Sequence, residues 1–84
     1  MGKHDELIGR ILSARSDANI SFKDLRSLLL ALGFDERVRS SHHIFSKAEI
    51  EELLNLQRYG NKAMPYQVRQ VRALLLRYRL VEDI

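Results

Sequence analysis

A chain of 84 residues has room for one domain and buries only about 60–65% of the surface that its unfolded form exposes. Hydrophobic residues make up 45%, charged residues 30%, and the net charge is +3, the balance of an ordinary globular protein. The absence of cysteine excludes disulfide staples and thiolate metal sites. No apolar run approaches the roughly 18 residues that span a bilayer. Met1 to Glu6 mixes both charge signs without a signal-peptide core, so a cytoplasmic location is expected.

The first predicted element is a helix from about His4 to Ala14, with Leu7, Ile8, Ile11 and Leu12 on one stripe. The polar run Arg15 to Asn19 separates it from a second helix. Ser21 starts that helix, because Ser21-x-x-Asp24 is a capping box with Asp in place of the usual Glu or Gln. Phe22, Leu25, Leu28, Leu29 and Leu32 form its apolar stripe, and Gly33 ends it with the left-handed backbone such a stop needs.

From Phe34 the period becomes alternating. Phe34, Glu36 and Val38 share one side of a strand; Asp35, Arg37 and Arg39 share the other. Ser40 and Ser41 make a turn, and a second strand runs through His42, His43, Ile44 and Phe45. The charged stretch Ser46 to Glu52 is expected as a loop or a short helical turn. Leu53 to Gln57 is a third strand with Leu54 and Leu56 inward, although Ala48 to Leu56 also reads as helix. Gly60 and Asn61 are turn formers within Arg58 to Met64. Pro65 suits the first position of a final helix, whose apolar stripe is Val68, Val71, Leu74, Leu75 and Tyr78.

The order helix, helix, strand, strand, strand, helix predicts an α+β fold. A small antiparallel three-stranded sheet is packed by helices on one face and open on the other. A single domain spans 1–84, its core at about 20–80 and 1–19 forming an N-terminal helical extension. From Leu53 to Val81 there is no acidic residue, while Arg58, Lys62, Arg69, Arg72, Arg77 and Arg79 fall there. Such a one-signed stretch attracts polyanions by releasing their counterions; a merely solvated helix face is the alternative.

His42 and His43 concentrate the groups that titrate near neutral pH. Consecutive strand residues face opposite ways, and Phe45 is the natural core anchor. His43 should therefore point toward the helices as a hydrogen-bonded structural residue. His42 and Ile44 should point to the open face, where pairing across the Ser40–Ser41 turn adds Arg37 and Arg39. An imidazole there suits general acid–base work on a phosphodiester: it takes a proton from a ribose 2′-hydroxyl or gives one to the leaving 5′-oxygen, while arginines stabilise charge on phosphorus. On the residues alone, a surface histidine without a chemical role is the alternative. His4, His42, His43 and Asp35 lack any recognised ligand spacing, so no metal site and no cofactor are expected. There is no phosphate-binding glycine loop and no nucleophile elbow. Tyr59 and Tyr66 could stack on bases.

The run Ser40-Ser41-His42-His43-Ile44-Phe45 resembles the HicA family of toxins, whose signature is a Gly-Ser-His step entering the second strand, with an aromatic three residues later. Ser41, His42 and Phe45 match it, as do Gly60, Lys62 and Pro65 before the last helix, over about Ile20 to Leu80. The resemblance implies a fold like that of double-stranded-RNA-binding domains. It also implies an endoribonuclease acting on mRNA (an mRNA interferase), with His42 catalytic and Arg37, Arg39, Ser41, Arg58, Lys62, Arg69 and Arg72 binding RNA. A HicB-type antitoxin would be the protein partner, with no membrane and no small-molecule cofactor. The alternative on the same fold is a non-catalytic RNA-binding or antitoxin-binding module. Ser40 stands where the family has Gly; if that position needs positive φ, serine costs of order 1 kcal/mol.

Overall fold

The computed structural model describes residues 4–81, so the ends of the 1–84 domain assignment (residues 1–3 and 82–84) lie outside the described residues. Helix α1 (Asp5–Ser13) carries Asp5 and Glu6 in its first turn, where the helix dipole favours acids. It stops at Ala14, which is left-handed at φ 61°. A 3-10 turn at Asp17–Asn19 leads to α2 (Phe22–Ala31). As the sequence requires, the Ser21 hydroxyl accepts from the Asp24 backbone N–H at 3.2 Å. Gly33 turns the chain out at φ 97°.

Strand β1 (Asp35–Arg39) pairs with β2 (His42–Lys47), and β2 pairs with β3 (Ile50–Tyr59), all antiparallel. The charged segment Ser46 to Glu52 is therefore not a loop or a helical turn. Lys47 pairs with Ile50 across a tight Ala48–Glu49 connection, and Ile50 to Glu52 already belong to β3. Charge concealed the strand because only alternate residues need be apolar: Ile50, Leu54 and Leu56 are buried, while Glu51 and Leu53 face outward. A bulge between Phe45 and Lys47 absorbs the change of register.

The sheet has four strands rather than the three expected, in the order β1-β2-β3-β4. Strand β4 (Lys62–Ala63) is short and pairs with Arg58 and Tyr59 across the Gly60–Asn61 turn. Helix α3 (Pro65–Arg77) follows with Pro at its start.

Ile20, Phe22, Leu25, Leu28, Phe45, Leu54, Leu56, Val68, Val71 and Leu75 form one core between the helices and one face of the sheet. Ile8 and Ile11 of α1 belong to the same core, so the N-terminal extension packs as part of the domain. The opposite face of the sheet carries Ile44, half-buried, and Leu53, 63% exposed.

A candidate active site on the open face of the sheet

The pairing register divides the two histidines. His43 shares the covered face with Phe45. Its Nδ1 lies 2.7 Å from Glu36 Oε2, and its ring meets Phe22 edge-on with centroids 4.8 Å apart. Arg26 donates to the same carboxylate, through Nε at 2.8 and 2.9 Å and through Nη2 at 2.7 Å. Arg26, ahead of His43, holds the Glu36 carboxyl below the ordinary carboxylate range against the opposing pull of burial. His43 is thus the hydrogen-bonded structural residue expected.

His42 is exposed on the other face, opposite Arg39 on β1 and Gln57 on β3. Its Nδ1 lies 3.1 Å from Asn55 Oδ1. A carbonyl oxygen only accepts, so in the neutral ring Nδ1 carries the hydrogen and Nε2 presents its lone pair. Among the described residues Nε2 has no hydrogen-bond partner. The arrangement is that of a base with one nitrogen anchored and the other free.

Gln67 sets the third wall. Strand β4 covers only the end of β3, so the edge of β3 that faces away from β2 has no neighbouring strand at Asn55 and Gln57. Gln67, 1% exposed, takes that place. Its Nε2 donates to the Asn55 carbonyl at 2.9 Å, and its Oε1 accepts from the Gln57 N–H at 3.1 Å. One side-chain amide thus stands in for a strand's peptide and fixes the start of α3 against β3. Between them lies a cleft of about 170 Å³ lined by His42, Leu53, Asn55, Gln57, Tyr66, Gln67 and Gln70.

The residues expected to bind RNA do not all gather here. Arg37 and Arg39 share the His42 face through the register Arg37↔Ile44 and Arg39↔His42. Neither makes an ion pair or hydrogen bond with the described residues. They border a second hollow of about 440 Å³ with Asp35, Glu36, Ile44, Ser46 and Leu53. Ser41 occupies the turn, its hydroxyl 3.4 Å from Gln57 Nε2. Lys62 is paired with Tyr59, which puts both on the open side. Arg69 is exposed on α3 outside the cleft.

Two of the residues expected to bind RNA stand apart from the His42 cleft. Arg58 follows Leu54 and Leu56 onto the covered side, where its guanidinium lies 5.3 Å from the Phe22 ring centre. Arg72 is tied to Asp17 at 3.0 and 3.2 Å and to the Ile11 carbonyl at 3.0 Å, 17% exposed at its side chain. That bond joins α3 to α1. Arg77 is likewise paired with Glu52. The acid-free stretch is neutralised in part by acids from elsewhere in the chain.

Of the cleft residues, Tyr66 is read from the sequence as a base-stacking candidate, whereas Asn55, Gln57, Gln67 and Gln70 are not singled out there. Asn55 and Gln57 alternate with Leu54 and Leu56, which marks them as open-face residues of β3. Gln67 beside Val68, on the buried stripe of α3, is a polar group in an apolar position, the usual sign of a specific partner. Among the described residues no three His, Cys, Asp or Glu side chains stand close enough to hold a metal ion, and no helix is long and apolar enough to cross a membrane. Neither a family model, nor a curated protein, nor a solved structure matches the chain.

Proposed function

We propose that this chain is a HicA-like toxin, an endoribonuclease that cleaves mRNA without a metal, using His42 as its base. The observation that carries the reading is the His42 imidazole, exposed beside two unpaired arginines with Nδ1 held by Asn55. Nε2 takes the proton from a ribose 2′-hydroxyl, and the resulting oxyanion attacks the adjacent phosphorus. The bond from phosphorus to the 5′-oxygen breaks, leaving a 2′,3′-cyclic phosphate, and the departing oxygen takes a proton from solvent at this open surface. Arg39, with Arg37 behind it, offsets the charge that grows on the phosphoryl oxygens.

The succession α2, β1, β2, β3, α3 supports a fold like that of double-stranded-RNA-binding domains, with α1 added in front and β4 as a short extra strand. A cytoplasmic site of action follows from an mRNA substrate. A HicB-type antitoxin that is acidic where it meets Arg37 and Arg39 would block substrate and satisfy both charges at once.

The test compares the wild type with His42→Ala on single-stranded RNA in EDTA, together with growth arrest on induction. Cleavage and arrest by the wild type alone are expected. Equal cleavage by both proteins removes His42 from the mechanism, and salt-dependent binding with no cleavage by either makes the chain a binding module.

A further inference from the structure

We infer that the cleft between β3 and α3 is a subsite for one unpaired nucleobase, which makes the substrate single-stranded RNA read at the nucleotide beside the cut. The inference rests on the ribonuclease reading above. Its basis is a division of labour around His42. On the β1 side stand Arg39 and Arg37, free cations suited to phosphate. On the β3 side the cleft lining holds no acidic or basic residue: apart from His42 and Leu53 it is made of amides and a phenol. A phosphate gains nothing in a neutral amide-lined hollow, whereas a base edge, which mixes donors and acceptors, is matched there.

The amides have the free atoms for this. Asn55 uses Oδ1 on His42, leaving its NH2 as a donor. Gln57 uses Nε2 on Ser41, leaving Oε1 as an acceptor. Gln70 makes no side-chain hydrogen bond with the described residues. Tyr66, 47% exposed, offers an aromatic face at the α3 wall, and stacking on such a face tolerates any base. A hollow of about 170 Å³ accommodates one flat heterocycle, not a base pair. A base that enters it has given up its Watson–Crick partner, so duplex RNA is excluded.

The experiment uses the full chain carrying His42→Ala, to prevent cutting, and fluorescence anisotropy with three probes. These are a short unstructured oligoribonucleotide, the same oligomer with abasic nucleotides, and a blunt duplex of the same sequence. Loss of the bases is expected to weaken binding about tenfold, in line with stacking of about 1–3 kcal/mol per base, and the duplex to bind no better than the abasic oligomer. Tyr66→Ala and Gln70→Ala, both at exposed positions, should remove the preference for intact bases, whereas Arg39→Ala weakens all probes alike. Equal affinity for intact, abasic and duplex probes overturns the subsite and leaves the ribonuclease reading standing. Failure of every probe to bind, together with failure of the wild type to cleave, overturns both.

Discussion

Nδ1 of His43 and Oε2 of Glu36 stand 2.7 Å apart, and this contact assigns neighbouring histidines to separate tasks. One imidazole is committed to a carboxylate under α2, and the next one faces solvent over β3. Glu36, with 8% of its side chain exposed, also receives Arg26, so a single carboxylate joins β1, β2 and α2.

Glu36→Gln should therefore cost about 1–3 kcal/mol, the range for leaving charged partners unsatisfied, and the cost should depend on pH. Arg26 first, then His43, lower the Glu36 carboxyl below its usual 4.5. The unfolded chain then binds the proton more readily, so this contribution is complete above about pH 4.5 and fades as pH falls through the lowered folded value. Urea unfolding of both proteins across the acid range checks this. A stability gap that stays constant from neutral to strongly acid pH would show that the carboxylate is not its source.

The strand alternation was enough to divide His42 from His43 and to place Arg37 and Arg39 beside His42, because side-chain direction in a strand is a matter of parity. The Ser21 cap, the Gly33 stop and Pro65 at the start of α3 are equally local and were equally readable. What escaped depends on partners far away in the chain. Arg72 meets Asp17 and Arg58 meets Phe22, and no local pattern announces either. The cleft wall requires Gln67 to reach Asn55 and Gln57 across the molecule. Strand β4 is too short to show a period.

Ser40 adopts φ 53° at the first position of its turn, where hairpins ordinarily place glycine. A left-handed backbone costs a non-glycine residue about 1–2 kcal/mol, and glycine returns part of that through the entropy of its unfolded state. Ser40→Gly should thus stabilise the fold by about 0.5–1 kcal/mol, read as a higher urea midpoint. Because the serine already holds the required φ, cleavage by the variant should equal that of the wild type. A gain of cleavage from an inactive wild type would mean that serine at this position costs the enzyme its activity.

Gln67→Leu keeps volume but strips both bonds from the β3 edge. The Gln57 N–H and the Asn55 carbonyl lose their partners at a part-buried site, which should cost about 2–4 kcal/mol. Hydrogen exchange separates this from simple loss of packing: the Gln57 amide should lose protection beyond the global change. Unchanged protection there would refute the edge-closing role.

Arg72 and Arg39 should behave oppositely. Arg72→Ala strands Asp17 and frees the Ile11 carbonyl, so it should lower stability by about 2–3 kcal/mol, the pair being mostly but not wholly buried. Arg39→Ala touches no partner among the described residues and should shift stability by less than about 0.5 kcal/mol. The variant should instead reduce the dependence of RNA affinity on salt by about one counterion. Anisotropy titrations over a range of salt, beside thermal unfolding, distinguish the two. An Arg39 variant with an unaltered salt slope would remove this strand from the phosphate path.

Asn55 determines which nitrogen of His42 faces the substrate. With Oδ1 at 3.1 Å accepting from Nδ1, the neutral ring keeps its lone pair at Nε2, the atom that takes the 2′-hydroxyl proton in the mechanism we propose. Asn55→Ala releases that preference and lets the ring rotate, so turnover should fall by about tenfold, more than the loss of RNA affinity from the one base-edge donor removed with it. Asn55→Asp makes a sharper test. A carboxylate next to the ring favours the imidazolium, and since only the neutral ring accepts the proton, the rising limb of the pH–rate profile should move to higher pH. Nitrogen-15 spectra of the ring report the same change without requiring turnover: Nδ1–H should predominate in the neutral wild-type ring and lose that predominance in Asn55→Ala. An identical tautomer balance in both proteins would mean that Asn55 only lies beside His42, and that the choice of reacting nitrogen is made by the substrate on binding.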